Sequence, residues 1–341
     1  MRRSLWAFVA SVVLLAAFLG VVGPRALAGH LAGANLAVFS LGLLAMVATL
    51  LCWSEGLRLL LVDAGGQVSV WRTAVAYTAA MLGRNLIPMG AVASPAITAY
   101  AVDREVSLSY NETLAVVTVA EFLGTIASLL VVAIGIPSLL IASPGVPQFR
   151  LFILAIAGLA AVLLVTTVVF WYRRRTIEYA VLGVTHFLQV TVGRIGARLH
   201  AALAPDRVED QLHRFYATVE TLAANRRTVA LSFALHLLGW IASTLPLYTS
   251  ALAVDVHVPL ALVFFLVPAS QLATALPLPG GLGGVEVVLA GALAVVLGID
   301  VALAATIALL YRLCAYWFLL VAGAVASLYA AASVRSLADV S

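Results

Sequence analysis

Hydrophobic residues run through this 341-residue chain in long unbroken segments, and they do not alternate with polar residues. An α-helix of about twenty apolar residues is long enough to cross a hydrocarbon core of roughly 30 Å. The alternation typical of outer-membrane barrel strands is absent from the sequence. The pattern predicts an all-α polytopic membrane protein with about six transmembrane helices, at 5–23, 32–52, 113–135, 150–172, 228–250 and 301–330.

Two further apolar stretches, 73–102 and 259–298, are interrupted by proline and glycine. The first contains Gly83-Arg84-Asn85-Leu86-Ile87-Pro88-Met89-Gly90. The second contains Leu276-Pro277-Leu278-Pro279-Gly280-Gly281-Leu282-Gly283-Gly284-Val285-Glu286. Neither is expected to be one continuous helix, because proline lacks a backbone donor and glycine is entropically costly in a helix. Unpaired backbone at membrane depth is tolerated only where protein buries it or where it lines a cavity.

The arginines predict the orientation of the chain, because basic residues near the ends of spans favour the cytoplasmic side. Arg2 and Arg3 place the N-terminus in the cytoplasm, and Arg335 places the C-terminus there. The uncharged connection 136–149 is predicted to be an outer loop. The segment 173–227, which opens with three arginines, is predicted to be cytoplasmic and amphipathic. It is interpreted either as a lipid-recruiting or gating element or as a solvated linker.

This orientation requires 73–102 to enter and leave from the cytoplasmic side, and 259–298 to enter and leave from the outer side. Both are predicted to be re-entrant helical hairpins, and their turns are expected at Pro88-Met89-Gly90 and at Pro279-Gly280-Gly281.

The hairpins divide the chain into two units of similar order. Residues 1–135 form a first repeat of two spans, a hairpin and a span. Residues 150–341 form a second repeat with the same order and inverted orientation. Inverted repeats with discontinuous helices near the midplane are typical of secondary transporters.

Composition supports the membrane assignment and excludes one other class. The chain is 64% hydrophobic and 10% charged, with a mean hydropathy of +1.11. Its formal net charge of +4 comes from arginines beside membrane segments, so it does not indicate nucleic-acid binding.

Two ionisable residues lie well inside predicted spans, Glu121 and Arg312. A charge at the centre of a span costs at least about 2.5–3.5 kcal/mol, so each requires a partner or a wet cavity. One interpretation is a structural Glu121–Arg312 ion pair that joins the two repeats. The other is that Arg312 binds an anionic lipid headgroup.

The broken stretches add further candidates. Arg84, beside Asn85, either binds phosphate with two parallel hydrogen bonds or extends to the membrane interface. Glu286 either caps the helix that follows the glycine run or is a protonatable group that faces a substrate cavity. The glycines allow close backbone packing, and exposed N–H groups there could bind an anion.

Catalytic chemistry is not predicted. No nucleophile–base arrangement or metal-ligand spacing emerges from the sequence. His236 lies inside a span without a second metal ligand nearby, and it is interpreted as a packing residue. The expectation is a protein that is not an enzyme and has no cofactor or metal.

These elements together resemble a known family. The two broken stretches, Glu121 and the pair Tyr311-Arg312 resemble the lysylphosphatidylglycerol synthase transmembrane-region family, flippase-like domains that are also found fused to some glycosyltransferases. The resemblance runs over most of the chain, and the Pro-Gly-Gly-x-Gly-x-x-Glu element is its most specific part. It implies lipid translocation between leaflets, and it does not imply the synthase chemistry, which belongs to a separate soluble domain in two-part members.

The resulting hypothesis is a flippase or scramblase-like transporter in the cell membrane, with both termini cytoplasmic. It would move an anionic phospholipid or a polyprenyl-phosphate-linked lipid. The alternative is a lipid-holding accessory subunit of a separate glycosyltransferase or lipid synthase. The predicted substrate-binding residues are Arg312, Arg84, Asn85, Glu121, Glu286, Pro279, Gly280, Gly281, Gly283, Gly284 and Tyr311.

Overall fold

The computed structural model describes residues 13–20, 22–87, 90–142, 154, 158, 205–275 and 278–338. Within these residues every regular element is helical, which confirms the all-α prediction. The helices are α1 (Val13–Gly20), α2 (Pro24–Ala32), α3 (Leu36–Asp63), α4 (Val70–Leu86), α5 (Gly90–Asp103), α6 (Tyr110–Ala142), α7 (Pro205–Ala224), α8 (Arg226–Leu252), α9 (Leu260–Ser270), α10 (Gly284–Leu297), α11 (Val301–Arg312) and α12 (Phe318–Ala338).

Several of these helices are long and apolar enough to cross a membrane. In the described part of the chain there are five such segments, Leu36–Asp63, Tyr110–Ile136, Arg226–Leu252, Pro279–Leu297 and Val301–Ala332. The pair α1 and α2, bent by 83°, makes a sixth if it counts as one span. Apart from residues 154 and 158, the predicted span 150–172 lies outside the described residues.

The break predicted in 73–102 is present, between α4 and α5. Helix α4 has 17 residues and α5 has 14. At 1.5 Å per residue these are about 26 and 21 Å long, shorter than a hydrocarbon core. The two helices pack against each other, and Ile87 adopts an extended conformation at the end of α4. The predicted turn residues Pro88 and Met89 lie outside the described residues.

The break in 259–298 is wider than the motif predicts. Helix α9 already ends at Ser270 and is followed by a 3₁₀ turn, Gln271–Ala275. A second 3₁₀ turn covers Pro279–Gly281 before α10 begins at Gly284. The predicted turn at Pro279-Gly280-Gly281 is present, but the α-helix before it ends nine residues earlier, at Ser270. Residues before a proline avoid the helical region, and Leu278, directly before Pro279, is extended.

The last predicted span, 301–330, is also not one continuous α-helix. Helix α11 ends at Arg312, and a π-helical turn, Leu313–Trp317, joins it to α12. The sequence pattern carries no proline or glycine here, so the change of helix type could not be predicted from it. Single π turns occur often at functional sites.

The two halves of the chain pack against each other through reciprocal helix contacts. Helices α3 and α8 make the most extensive contact. Helix α4 packs against α12, and α9 packs against α6, so the first helix of each broken pair contacts the last helix of the other half. This reciprocity is what an inverted repeat would produce. The repeat boundaries and the re-entrant paths stay predictions.

Candidate functional site

A polar cavity lies where α3, α4, α6, α8 and α11 meet, near the middle of the candidate spans. Its volume is about 180 Å³, which is room for roughly ten water molecules. Its walls combine aromatic, methionine and polar side chains. The lining residues are Met46, Trp53, Leu57, Tyr77, Met81, Arg84, Asn85, Thr98, Val117, Ala120, Glu121, Gly124, Thr125, Ser128, His236, Trp240, Ser243, Val267, Gln271, Tyr311, Ala315 and Leu319.

An open ion pair forms the charged wall of this cavity. Arg84 Nη1 lies 3.7 Å from Glu121 Oε1, and the two side chains are 32% and 29% exposed. That separation brings the opposite charges together but is too long for a hydrogen bond. Glu121 Oε1 instead accepts a hydrogen bond of 2.6 Å from the hydroxyl of Ser94 on α5. The carboxylate is therefore held in place, whereas the guanidinium donates no hydrogen bond to another described residue.

Other polar groups on the cavity wall also have unused hydrogen-bonding capacity. Among the described residues the hydroxyl of Thr98, itself 1% exposed, has no partner. The amide nitrogen of Asn85 donates to Met81 O at 2.8 Å, which leaves its amide oxygen as an acceptor. Buried polar groups are normally hydrogen-bonded, and the Thr98 hydroxyl is an exception that is enclosed, with almost no accessible surface.

A second, smaller cavity of about 50 Å³ lies between the two broken regions. Arg84, Asn85 and Gly90 line it from the first break, and Gln271, Thr274, Leu278 and Gly280 line it from the second. Arg84, Asn85 and Gln271 also line the larger cavity, so they separate the two spaces. The two breaks therefore meet beside the larger cavity.

Arg312 and Glu286 form a closed ion pair next to this junction. Arg312 Nε donates to Glu286 Oε1 at 2.8 Å, and the side chains are 4% and 1% exposed. Glu286 Oε2 accepts from the backbone N–H of Gly283 at 2.8 Å. The pairing of Glu121 with Arg312 considered in the sequence analysis is therefore not formed. Each has a nearer partner. The glycine turn, residues 279–284, brings Glu286 into contact with Arg312, and α4 brings Arg84 close to Glu121.

The glycine turn is fixed to the last span by the same arginine. Arg312 Nη2 donates to Gly280 O at 2.9 Å, and its guanidinium lies 4.3 Å from the ring centroid of Tyr316. Gly280 has a φ of 55°, and a Cβ on it would collide with the Tyr316 ring. Glycine is required at this position both for its conformation and for the close approach of the aromatic ring.

The predicted site residues thus divide into two groups. Arg84, Asn85, Glu121 and Tyr311 line the larger cavity, and Gly280 lines the smaller one. The others lie outside these two cavities, in or beside the glycine turn, namely Arg312, Glu286, Pro279, Gly281, Gly283 and Gly284.

Sequence reasoning missed several polar residues of the cavity, among them Thr98 and Gln271, and interpreted His236 as a packing residue. Thr98 lies four residues after Ser94, on the same face of α5. Gln271 is an amide in an otherwise apolar stretch, and His236 is ionisable inside a span. Polar residues within spans mark functional positions by default, and that signal would have identified His236 and Gln271.

The helices and this intramembrane cavity define the class, a multi-pass helical membrane protein. The model of one family, the lysylphosphatidylglycerol synthase transmembrane region, matches residues 4–323 of the chain. The protein therefore belongs to that family, as the resemblance of its two broken stretches indicated. No curated protein matched the sequence.

Proposed function

We propose that this protein moves a lipid with an anionic, phosphate-bearing headgroup between membrane leaflets, and that Arg84 binds the headgroup. The lipid leaves chemically unchanged, so the protein acts as a transporter and not as an enzyme. Its location is the cell membrane, with both termini cytoplasmic.

The observation that carries the proposal is the guanidinium of Arg84, which lies at a cavity near the middle of the spans and has hydrogen-bond donors unused among the described residues. A guanidinium has five N–H donors in a fixed plane, which match two phosphate oxygens at once. Among the described residues Arg84 makes one long ion pair and no hydrogen bond through this group. Its position between the two cavities lets an anion approach from either one.

The surrounding groups suit a headgroup rather than an acyl chain. The amide oxygen of Asn85 offers a hydrogen-bond acceptor, and Glu121 balances the arginine when the cavity holds only water. Acyl or isoprenoid chains gain nothing from such a wall and remain in the surrounding lipid. Discontinuous helices that bracket a polar midplane cavity are the usual framework for such a site.

The test is leaflet exchange in vesicles reconstituted with the purified protein. The probe is phosphatidylglycerol that carries a fluorescent NBD group on an acyl chain, and dithionite reports how much of it reaches the outer leaflet. Losing a charge-assisted hydrogen-bond pair worth about 1.5–3 kcal/mol slows exchange in Arg84→Gln roughly 10- to 100-fold. Arg72→Gln is the matched control on the same helix, since the side chain of Arg72 is 64% exposed.

Equal exchange rates in wild type and Arg84→Gln would contradict the proposal. Absence of exchange in wild type, together with retention of an anionic lipid and co-purification of a glycosyltransferase or lipid synthase, would instead support the accessory-subunit role.

A further inference from the structure

We propose that His236 carries a proton together with the anionic headgroup, so that the loaded cavity is electrically neutral. This inference rests on the proposed lipid transport and identifies how that transport is coupled. His236 lies on α8 near the middle of its span, is 5% exposed, and lines the larger cavity with Arg84 and Glu121.

The imidazole of His236 occupies a slot between two glycines. A Cβ on Gly56 of α3 would lie 2.7 Å from Nδ1, and a Cβ on Gly124 of α6 would lie 3.3 Å from Cδ2. Any larger residue at Gly56 would displace the ring. Two neighbouring helices therefore leave space for an aromatic ring at this depth and hold it in one orientation.

The hydrogen bonds of the ring leave one nitrogen available for a proton. Nδ1 lies 2.8 Å from the carbonyl oxygen of Ser232, one turn earlier on α8, so Nδ1 carries the hydrogen of the neutral ring. Nε2 then has a free lone pair. It has no hydrogen-bond partner among the described residues, and it is not among the sealed polar atoms of the protein. A proton from water in the cavity can bind there.

Charge balance gives this proton a function. In the empty cavity Arg84 and Glu121 cancel, and His236 is neutral. An anionic headgroup adds one negative charge in a medium where unbalanced charge is costly. A proton on Nε2 cancels that charge on loading and returns to water when the headgroup leaves on the other side.

The charges around this ring are few. The titratable and charged groups that line the cavity with it are Glu121, Arg84, Tyr77 and Tyr311. On α3, Glu55 and Arg58 lie beside Gly56 and pair with each other. Glu121 lines the same cavity as His236, so its negative charge faces the space that would receive the headgroup and the proton.

The experiment compares exchange of two NBD-labelled lipids at pH 5.5 and pH 8.0, set equal on both sides of the vesicle. Because histidine changes charge over this interval, wild type is expected to exchange phosphatidylglycerol at least about fivefold faster at the lower pH. Phosphatidylethanolamine has no net charge, so its ratio is expected to stay within about twofold. His236→Gln brings the phosphatidylglycerol ratio below about twofold. The control His257→Gln, at an exposed position outside the helices, keeps the wild-type ratio.

A second measurement uses wild type alone, in case His236→Gln does not fold. Vesicles with trapped pyranine are placed in acidic medium. Inward movement of phosphatidylglycerol is expected to acidify the lumen, and inward movement of phosphatidylethanolamine is expected to leave the lumen pH unchanged. Exchange at equal rates at both pH values, an unchanged ratio in His236→Gln, or movement without lumen acidification would overturn the inference and leave lipid transport standing. No protein-dependent exchange at either pH would overturn both.

Discussion

The two arginine–carboxylate pairs that lie beside the cavities have the same chemistry and different structures. Arg84 and Glu121 lie 3.7 Å apart at the cavity wall, and about a third of each side chain is exposed. Arg312 and Glu286 lie 2.8 Å apart, and both are buried. The first pair leaves donors for a ligand. In the second pair Arg312 donates to Glu286 and to the carbonyl of Gly280, and Glu286 also accepts from the N–H of Gly283.

The charges of the two pairs are also distributed in opposite ways between a broken region and a span. In the first half of the chain the broken region carries the arginine and the span carries the carboxylate. In the second half the broken region carries the carboxylate, Glu286, and the span carries Arg312. One pair can therefore serve as a rigid clamp on the glycine turn, whereas the other stays available for binding.

The largest expected effect is the loss of stability in Arg312→Ala. Removing one partner of a buried pair leaves Glu286 as an uncompensated buried charge, which costs about 3–5 kcal/mol in the free energy of unfolding. Denaturation in mild detergent, followed by tryptophan fluorescence, measures this cost. Arg84→Ala is the comparison, with an expected loss below about 1 kcal/mol because its pair is partly solvated. Equal losses in the two variants would remove the distinction between clamp and binding site.

A smaller loss is expected when the glycine turn is altered without touching its charges. Gly280→Ala places a Cβ at a left-handed φ and against the Tyr316 ring. The conformation alone costs about 1–2 kcal/mol, and the collision adds to it. Gly291→Ala on α10 has open space around it and is expected to be neutral or stabilising, by up to about 1 kcal/mol. A Gly280→Ala variant as stable as Gly291→Ala would show that the turn is not held as described.

The smallest expected effect is the coupling free energy between Arg84 and Glu121, and double-mutant cycles compare it with the coupling between Arg312 and Glu286. The coupling free energy between Arg84 and Glu121 is expected to be below about 1 kcal/mol, because their separation is long and the groups are partly exposed. The coupling between Arg312 and Glu286 is expected to exceed about 2 kcal/mol. Alanine and glutamine replacements at the four positions, measured by the same unfolding experiment, give both values. Similar couplings would contradict the assignment of separate roles.

The helical architecture was predictable because its signals are long and continuous. Apolar segments the length of a bilayer identified four of the five candidate spans in the described part of the chain, and proline and glycine identified both breaks. The width of the second break was not predictable, since residues 271–275 carry no helix-breaking signal. The π turn after Arg312 was likewise hidden, because it depends on how Tyr316 packs over the arginine and Gly280.

The charged residues of the candidate site were predictable from the sequence, and their pairings were not. Intramembrane charge identified Glu121 and Arg312, and their positions in the broken stretches identified Arg84 and Glu286. Which arginine meets which carboxylate depends on how α4 and the glycine turn pack against the spans, and the sequence does not contain that information. For the same reason Arg312, the strongest sequence candidate for binding a headgroup, lies in the clamp.

The most direct test of the central claim is mass spectrometry of the lipids that purified protein retains. If Arg84 is the headgroup ligand, wild type and the control Arg72→Gln retain a phosphate-bearing anionic lipid, and Arg84→Gln loses it while its unfolding remains close to that of wild type. Retention of the same lipid at the same occupancy in Arg84→Gln would contradict the account.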